Sequence, residues 1–215
     1  MKVKICGNKR IEDALKAIYL GADAVGLLVG QVQASNDFIT PDLAKEITLK
    51  LPVFCSSVLV THLINASEIV ELAKYIGVNS IQLPGDITPE DALFIKKEIP
   101  YIKLIKGLHV TDEASIDKGT PFLKCIDAFL LDSVNTSTNQ VGGTGKTHDW
   151  SISKRIVDYY NVPVILAGGL NPNNVEEAID KVGPFGVDVN SGVKAPDGYK
   201  DYQKLEDFIT KAKRY

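Results

Sequence analysis

The sequence lacks the features that mark several large classes of protein. It has three cysteines, an odd number without metal-ligand spacing, which argues against a disulfide framework or a zinc site. The sequence contains no run of about 18 apolar residues, the length that could span a bilayer. The apolar part of the first few residues is too short for a signal peptide. The sequence has no run of basic residues, and its 24 Lys and Arg residues are outnumbered by 27 Asp and Glu residues. The charge pattern of a nucleic-acid binder is therefore absent. We therefore expect a cytoplasmic protein with no nucleic-acid partner, no membrane partner and no metal.

The composition is that of an ordinary folded domain. Hydrophobic residues make up 45% and charged residues 24% of the chain, which is enough to bury a core without disulfides or metals. The length of 215 residues lies within the range of roughly 200–250 residues that single α/β barrels occupy. No linker or low-complexity segment divides the chain. We expect residues 1–215 to form a single domain.

Eight short apolar or β-branched runs alternate with helical patterns along the chain, which indicates βα units and a parallel sheet. The predicted strands are Val3–Cys6, Ala24–Leu28, Phe54–Val60, Ser80–Leu83, Ile102–Leu108, Ala128–Leu131, Val164–Ala167 and Gly186–Val189. The clearest predicted helices are Ile11–Leu20, Pro41–Leu49, Ala66–Ile76, Pro89–Glu98 and Asn173–Val182. No Gly-x-Gly-x-x-Gly turn follows the first strand, which disfavours an open doubly wound sheet. The predicted fold is therefore α/β, a (βα)8 TIM barrel with its site at the carboxyl ends of the strands.

Glycine-containing loops follow the last two predicted strands. Gly168 and Gly169 come after the seventh strand, and Ser191 and Gly192 come after the eighth. Barrels commonly hold a phosphate at these two loops, because glycine lets backbone N–H groups approach the anion. We expect a phosphate site there. The alternative is that the glycines only turn the chain tightly.

A polar loop rich in Gly, Ser and Thr runs from Asn135 to Gly145, after the sixth predicted strand. It lacks the Gly-x-x-x-x-Gly-Lys spacing of a nucleotide-binding loop. Loops of this length are often functional, so we interpret it as a lid over the substrate, with Gly143 contributing to the phosphate site. A plain flexible loop is the alternative.

Two strand ends carry side chains suited to acid–base chemistry. Cys6 ends the first strand, and Lys4 lies on the same side of it, so Cys6 is either a base favoured as the thiolate or a small buried hydrophobe. Asp132 ends the sixth strand and is either a partly desolvated general acid or a cap on its loop. Asp188 should point into the barrel, where a structural pairing with Lys4 is favoured over direct catalysis.

The remaining histidines and cysteines give weaker indications. His62 and His109 fall at the active face, as hydrogen-bonding groups or as ordinary solvated side chains. His148 is expected to be a solvated loop histidine, and Cys55 and Cys125 are expected to be packing residues.

Several motifs, in order along nearly the whole chain, resemble those of the phosphoribosylanthranilate isomerase family. They are Lys4-Ile5-Cys6-Gly7, Gly21-Ala22-Asp23-Ala24-Val25-Gly26, Gln82-Leu83, Leu131-Asp132, the segment Gly142 to Trp150, Ala167-Gly168-Gly169-Leu170-Asn171-Pro172 and Val187-Asp188-Val189-Asn190-Ser191-Gly192-Val193. The resemblance implies an isomerase of tryptophan biosynthesis. Its reaction is an Amadori rearrangement that converts N-(5-phosphoribosyl)anthranilate to the 1-deoxyribulose 5-phosphate product without a cofactor. The resemblance assigns the base to Cys6 and the acid to Asp132.

Two positions depart from the family pattern. The arginine that meets the anthranilate carboxylate in the family aligns with Asp37, which reverses the charge. The family's Gln-Leu-His-Gly segment is Gln82-Leu83-Pro84-Gly85 here, which removes an imidazole. With Asp37 considered alone, we expect weak activity on phosphoribosylanthranilate that rises on Asp37→Arg, unless Lys9 or Arg10 meets the carboxylate.

These departures leave three functions open. The first is the biosynthetic isomerase, with Gln82, Asp37 and Asp188 as further substrate-contacting residues. The second is a paralogous isomerase of another pentose-phosphate conjugate, and the third is a catalytically idle sugar-phosphate binding protein. A binding protein needs no acid and base together, so the presence of both Cys6 and Asp132 disfavours the third. All three take a small-molecule sugar phosphate, and the oligomeric state is left open.

Overall fold

The computed structural model describes residues 1–32, 35–135, 140–141 and 148–215. Most of the polar loop after the sixth strand lies outside the described residues, and Gly143 lies outside them as well. The lid and the contribution of Gly143 to a phosphate site therefore stay predictions.

Eight parallel strands close into one barrel. In chain order they are β1 Lys2–Ile5, β2 Ala24–Leu28, β3 Ser56–Val60, β4 Ser80–Leu83, β5 Lys103–His109, β6 Ala128–Asp132, β7 Val164–Leu166 and β8 Gly186–Val189. Each strand pairs with its neighbours in sequence, and β8 pairs with β1 to close the ring. A separate antiparallel pair, Val134–Asn135 with Gln140–Val141, follows β6. The predicted (βα)8 barrel is confirmed, with strand ends within two residues of those expected.

Helices cover the outside of the barrel after seven of the strands. They are α1 Ile11–Tyr19, α2 Pro41–Lys50, α3 Ala66–Ile76, α4 Pro89–Glu98, α5 Trp150–Tyr159, α6 Val175–Val182 and α7 Tyr202–Ala212. After β5 the chain instead forms two 3-10 segments, Glu113–Ser115 and Asp117–Phe122. The second segment contains Gly119 and Pro121, and both residue types disfavour an α-helix. None of the helices in the described part of the chain is long and apolar enough to cross a membrane.

The side chains of the strands alternate between two cores. Most buried residues lie between the sheet and the helices, whereas a small cluster inside the barrel includes Ile105 of β5 and Leu130 of β6. Because successive side chains of a strand point to opposite faces, His109 shares the inner face with Ile105, and Asp132 shares it with Leu130. The barrel interior thus leads directly to these two polar side chains at its carboxyl-terminal mouth.

Thr-Pro pairs begin the two helices that the sequence predicts to start at Pro41 and Pro89. The Oγ1 atom of Thr40 accepts a hydrogen bond from the backbone N–H of Leu43 at 3.2 Å. The Oγ1 atom of Thr88 accepts one from the backbone N–H of Asp91 at 3.1 Å. Each hydroxyl satisfies a backbone donor that the first turn of the helix leaves without an intrahelical partner.

Replacing Thr88 by alanine should therefore lower the free energy of unfolding by about 1 kcal/mol, because the N-cap acceptor is lost. Thr88→Ser keeps an acceptor at the same place and serves as the matched control. Urea unfolding followed by circular dichroism measures both variants. Equal stability of the alanine and serine variants would contradict the assignment of this cap.

Candidate active site at the barrel mouth

A buried ion pair lies across the seam that closes the barrel. Lys4 of β1 and Asp188 of β8 are register partners, and the Lys4 Nζ atom donates to Asp188 Oδ2 at 2.8 Å. Their side chains are only 5% and 8% exposed. Burial alone would lower the pKa of Lys4, but the charge and hydrogen bond of Asp188, with a further contribution from Cys6, raise it above its usual value. The predicted pairing of Asp188 with Lys4 is confirmed.

The same ammonium group also reaches β4. The Nζ atom of Lys4 donates to Gln82 Oε1 at 3.0 Å, so Gln82 is joined to the ion pair. The Oδ1 atom of Asp188 is buried and has no hydrogen-bond partner among the described residues. Buried polar atoms without partners are rare. This carboxylate therefore retains an acceptor for a group that enters the mouth.

Cys6 follows β1 and is buried, at 7% exposure. Space for its thiol depends on Gly26 of β2, because a Cβ atom added there would lie 2.8 Å from the Cys6 Sγ. Burial raises the pKa of this thiol, and it outweighs the opposing effects of the Lys4 and Lys200 charges. The sequence-based expectation that Lys4 favours the thiolate has the direction of its effect right but omits the larger desolvation cost.

Asp132 ends β6 with its carboxyl inside the mouth. Burial raises its pKa to about 6, and the charge of Asp188 adds to that effect. The backbone N–H of Ser133 donates to Asp132 Oδ1 at 2.7 Å and, with Lys4, limits the rise. The protonated form of Asp132 is therefore easier to reach near neutral pH than that of a free carboxyl group. This carboxyl group can serve as a proton donor close to neutral pH.

The loops after β7 and β8 contact each other closely. Gly168 and Gly169 both have left-handed backbone angles, with φ of 80° and 69°. A Cβ atom added to Gly192 would lie 2.0 Å from the carbonyl oxygen of Leu170, so only glycine fits there. The side chain of Asn174 closes the first loop by donating to the Gly169 carbonyl at 3.0 Å. The tight glycine turns predicted after the last two strands are thus present.

Asp37 lies in an ion pair that the sequence did not reveal. The Nζ atom of Lys194, after β8, lies 2.6 Å from both carboxylate oxygens of Asp37, and the Asn190 amide donates to Oδ2 at 2.9 Å. Burial would raise the pKa of Asp37, but the hydrogen bonds from Lys194 and Asn190 hold it below its usual value. The charge of Asp37 is therefore compensated, which removes the basis for expecting it to repel an anionic substrate.

Lys200 is a buried cation near Cys6 that no motif in the sequence indicates. It is buried, at 4% exposure, and its Nζ atom donates to the carbonyl oxygen of Cys6 and to Asn190 Oδ1, the latter at 3.1 Å. Burial lowers its pKa to about 8, and Asp37 and Lys194 act on it in opposite directions. Asn190 thus connects the Asp37–Lys194 pair to the backbone of Cys6.

The cations suggested earlier as partners for a substrate carboxylate have other contacts. The guanidinium of Arg10 bonds to Asp13 at 2.8 and 3.2 Å and lies 4.0 Å from the centre of the Tyr199 ring. The Nζ atom of Lys9 lies 4.7 Å from the centre of the same ring. Arg10 is thus engaged by Asp13, as Lys194 is engaged by Asp37.

The other predicted histidines and cysteines have varied surroundings. His148 is half-buried and hydrogen-bonded to Ser153 Oγ at 2.6 Å, and burial lowers its pKa to about 4, so it is not the solvated side chain expected. His62 packs edge-on against Phe38, with ring centres 4.7 Å apart. Cys125 is buried in the outer core, as expected. In the described ranges, no three His, Cys, Asp or Glu side chains form a group that could hold a metal ion.

The chain matches known proteins over nearly its full length. Residues 3–211 match the family model for N-(5'phosphoribosyl)anthranilate (PRA) isomerase. The chain belongs to this family. It is 47% identical to N-(5'-phosphoribosyl)anthranilate isomerase 2 of Methanosarcina mazei, over 99% of this chain and 94% of that relative. It is 42% identical to the isomerase of Methanocella arvoryzae, over 97% of this chain and 96% of that relative.

Solved PRA isomerases have the same fold as this chain. The structure of the Thermotoga maritima enzyme superposes with a TM-score of 0.87 at 36% identity, with complete coverage of both chains. A PRA isomerase in complex with reduced 1-(o-carboxyphenylamino)-1-deoxyribulose 5-phosphate superposes with a TM-score of 0.84 at 34% identity, again with complete coverage. The family resemblance noted in the sequence is confirmed.

The raised pKa of Cys6 predicts a slow thiol in this PRA isomerase homologue. Its alkylation by iodoacetamide should be slower at pH 7 than that of a free thiol, and it should rise steeply as the pH passes 9, because only the thiolate reacts. Peptide mapping by mass spectrometry separates Cys6 from Cys55 and Cys125. Labelling of Cys6 at pH 7 as fast as that of glutathione would contradict the burial effect.

Proposed function

We propose that Asp132 and Cys6 are the acid and the base with which this PRA isomerase acts. The observation that carries the proposal is their connection through the Lys4–Asp188 pair, whose charges act on both groups at one barrel mouth. Opposed proton transfers need two groups with separated pKa values, and burial at this mouth affects both. The small-molecule sugar-phosphate partner and the cytoplasmic location expected from the sequence are parts of this proposal.

The chemistry of the rearrangement divides between the two groups. Protonated Asp132 gives its proton to the furanose ring oxygen, and the ring opens to an iminium ion. The thiolate of Cys6 then removes the C2′ proton, giving an enolamine that becomes the ketone. The reactive form needs a protonated Asp132 and an ionised Cys6. The raised pKa of Asp132 favours its protonated form, whereas the raised pKa of Cys6 opposes its ionised form. The ammonium groups of Lys4 and Lys200 favour the thiolate in the reactive form.

The phosphate of the substrate is assigned to the loops after β7 and β8. Gly168 and Gly169 adopt left-handed backbone angles in the loop after β7, and Gly192 lies directly against that loop. Backbone N–H groups at such turns bind phosphate well. Ser191, beside Gly192, supplies a hydroxyl group at the same place. This assignment places the phosphate at the two loops that follow β7 and β8 and leaves the remaining strand ends for the sugar and anthranilate.

Lys194 is assigned to the anthranilate carboxylate. Its ammonium group has three N–H donors, and the two oxygens of Asp37 leave it able to bind a further anion. Asp37 then acts through Lys194, by holding its Nζ atom in place, and Gln82 and Asp188 remain substrate-contacting candidates through the Lys4 network. The reversed charge at position 37 is therefore compatible with phosphoribosylanthranilate as the substrate.

Replacing Cys6 or Asp132 by alanine should lower kcat by roughly 10²–10⁴-fold, because each variant loses one proton-transfer group. Affinity for inorganic phosphate should stay unchanged in both variants, since the phosphate loops are untouched. The natural chain should also restore growth without tryptophan to a strain that lacks this isomerase. A Cys6→Ala protein with the natural kcat would rule out this mechanism.

Replacing Lys194 by methionine should lower kcat/KM for phosphoribosylanthranilate by about 10- to 150-fold, the loss expected for one charge-assisted hydrogen bond. Most of the loss should be in KM, because this cation binds a group that takes no part in the proton transfers. Asp37→Asn is the matched control, since it keeps the cation and should cost much less.

The Asp37→Arg variant distinguishes this assignment from the sequence-based expectation. An arginine there would lie beside Lys194, so we expect no gain in kcat/KM in the natural background. The double variant Asp37→Arg with Lys194→Glu should recover activity relative to Lys194→Met. A natural KM in Lys194→Met, or a large gain from Asp37→Arg alone, would contradict the role of Lys194.

A further inference from the structure

His109 is a histidine at the barrel mouth to which the mechanism above gives no role. It ends β5 and is the register partner of Asp132 on the neighbouring strand β6. Both side chains lie on the inner face of the barrel, because they alternate in step with Ile105 and Leu130 of the inner core. Neighbouring parallel strands are roughly 5 Å apart, so the backbones of His109 and Asp132 lie side by side at the mouth.

The imidazole is neutral and incompletely hydrogen-bonded. Burial lowers its pKa from the usual value, and the charge of Lys106 lowers it further, so the ring carries no net charge at pH 7. Its Nδ1 atom is buried and has no hydrogen-bond partner among the described residues. A buried ring nitrogen without a partner is costly, and such groups are commonly satisfied by a ligand or water. A neutral nitrogen suits a hydroxyl group better than an anion.

The loop after β4 fixes the position of the ring. A Cβ atom added to Gly85 would lie 3.1 Å from His109 Nε2, so glycine at this position makes room for the imidazole. Buried Lys106, on the outer face of β5, donates to the carbonyl oxygens of Pro84 and Gly85 at 2.8 and 2.7 Å and holds this loop in place. Pro84 of the same loop occupies the position at which the family pattern has histidine.

We propose that His109 is a substrate-binding residue, whose Nδ1 side forms a hydrogen bond with a hydroxyl group of the sugar beside Asp132. The proposal rests on the proposed function and extends it to the sugar portion of the substrate. The contact orients the sugar for proton transfer from Asp132, while Lys194 binds the carboxylate of the substrate and the glycine loops bind its phosphate. His109 itself transfers no proton.

Variants that retain one ring nitrogen at a time test the contact. Asparagine places a polar atom near Nδ1, glutamine places one near Nε2, and phenylalanine keeps only the ring shape. We expect His109→Phe and His109→Gln to lower kcat/KM by about 3- to 10-fold, as loss of a neutral hydrogen bond would, and His109→Asn to retain most of the activity. Equal effects of all three substitutions, or no effect of phenylalanine, would overturn the proposal. Thermal unfolding of each variant shows that the fold is kept.

Nitrogen NMR of the natural protein gives an independent test that needs no turnover. The probes are reduced 1-(o-carboxyphenylamino)-1-deoxyribulose 5-phosphate, anthranilate and inorganic phosphate, with the histidine ring nitrogens labelled with ¹⁵N and assigned with His109→Phe. We expect the first probe to shift the His109 Nδ1 signal and the other two to leave it unchanged. A shift with anthranilate alone would place His109 at the aglycone and overturn the sugar contact.

The same titration distinguishes a failure of the His109 contact from a failure of the proposed function. If the reduced sugar phosphate binds and leaves the His109 signal unchanged, this inference fails and the isomerase function stands. If the probe does not bind at all, the proposed function itself is contradicted.

Discussion

The ion pair between Lys4 and Asp188 is the interaction on which the rest of the site depends. It lies where β8 meets β1, so it is formed only when the barrel has closed. Its charges act on Cys6 and Asp132, the proposed proton-transfer groups of two different strands. A buried pair is worth little as a source of stability, because desolvation offsets most of the attraction. Removal of one partner would nevertheless leave an uncompensated charge in the barrel, which is costly. Fold closure and chemistry are therefore linked at one pair of residues.

Local patterns were enough to predict the barrel and its strand ends. Each of these patterns depends on residues that are close together in the sequence: alternating apolar runs, prolines at helix starts and glycine turns. Cys6 and Asp132 could be named as candidates because each lies at the end of a predicted strand. The segment between β5 and β6 departs from the regular βα pattern, because Gly119 and Pro121 lie in 3-10 turns where the other strands are followed by α-helices. The family resemblance added the division of roles between acid and base, which position alone did not decide.

Long-range pairs could not be predicted in the same way. Asp37 and Lys194 are 157 residues apart, and nothing in the sequence around Asp37 indicates a cation. The charge reversal was visible, whereas its compensation exists only after the loops following β2 and β8 meet. The same holds for Lys200, whose contact with the Cys6 carbonyl spans 194 residues. The rise that burial causes in the pKa of Cys6 could not be predicted either, because the depth at which the thiol is buried is a property of the folded mouth.

The arrangement of charges explains how an unfavourable resting protonation state is compatible with catalysis. At rest, with the Cys6 thiol neutral and Asp132 ionised, the ammonium groups of Lys4, Lys194 and Lys200 balance the carboxylates of Asp37, Asp132 and Asp188. The reactive form, with Cys6 ionised and Asp132 protonated, has the same net charge, so it adds no charge to the mouth. A substrate with a phosphate and a carboxylate raises the pKa values of the groups around it, which favours protonated Asp132 and keeps Lys200, with its pKa of about 8, in the charged form. The same negative charge opposes the ionisation of Cys6, the proposed base, and the charged Lys200 beside it offsets part of that effect.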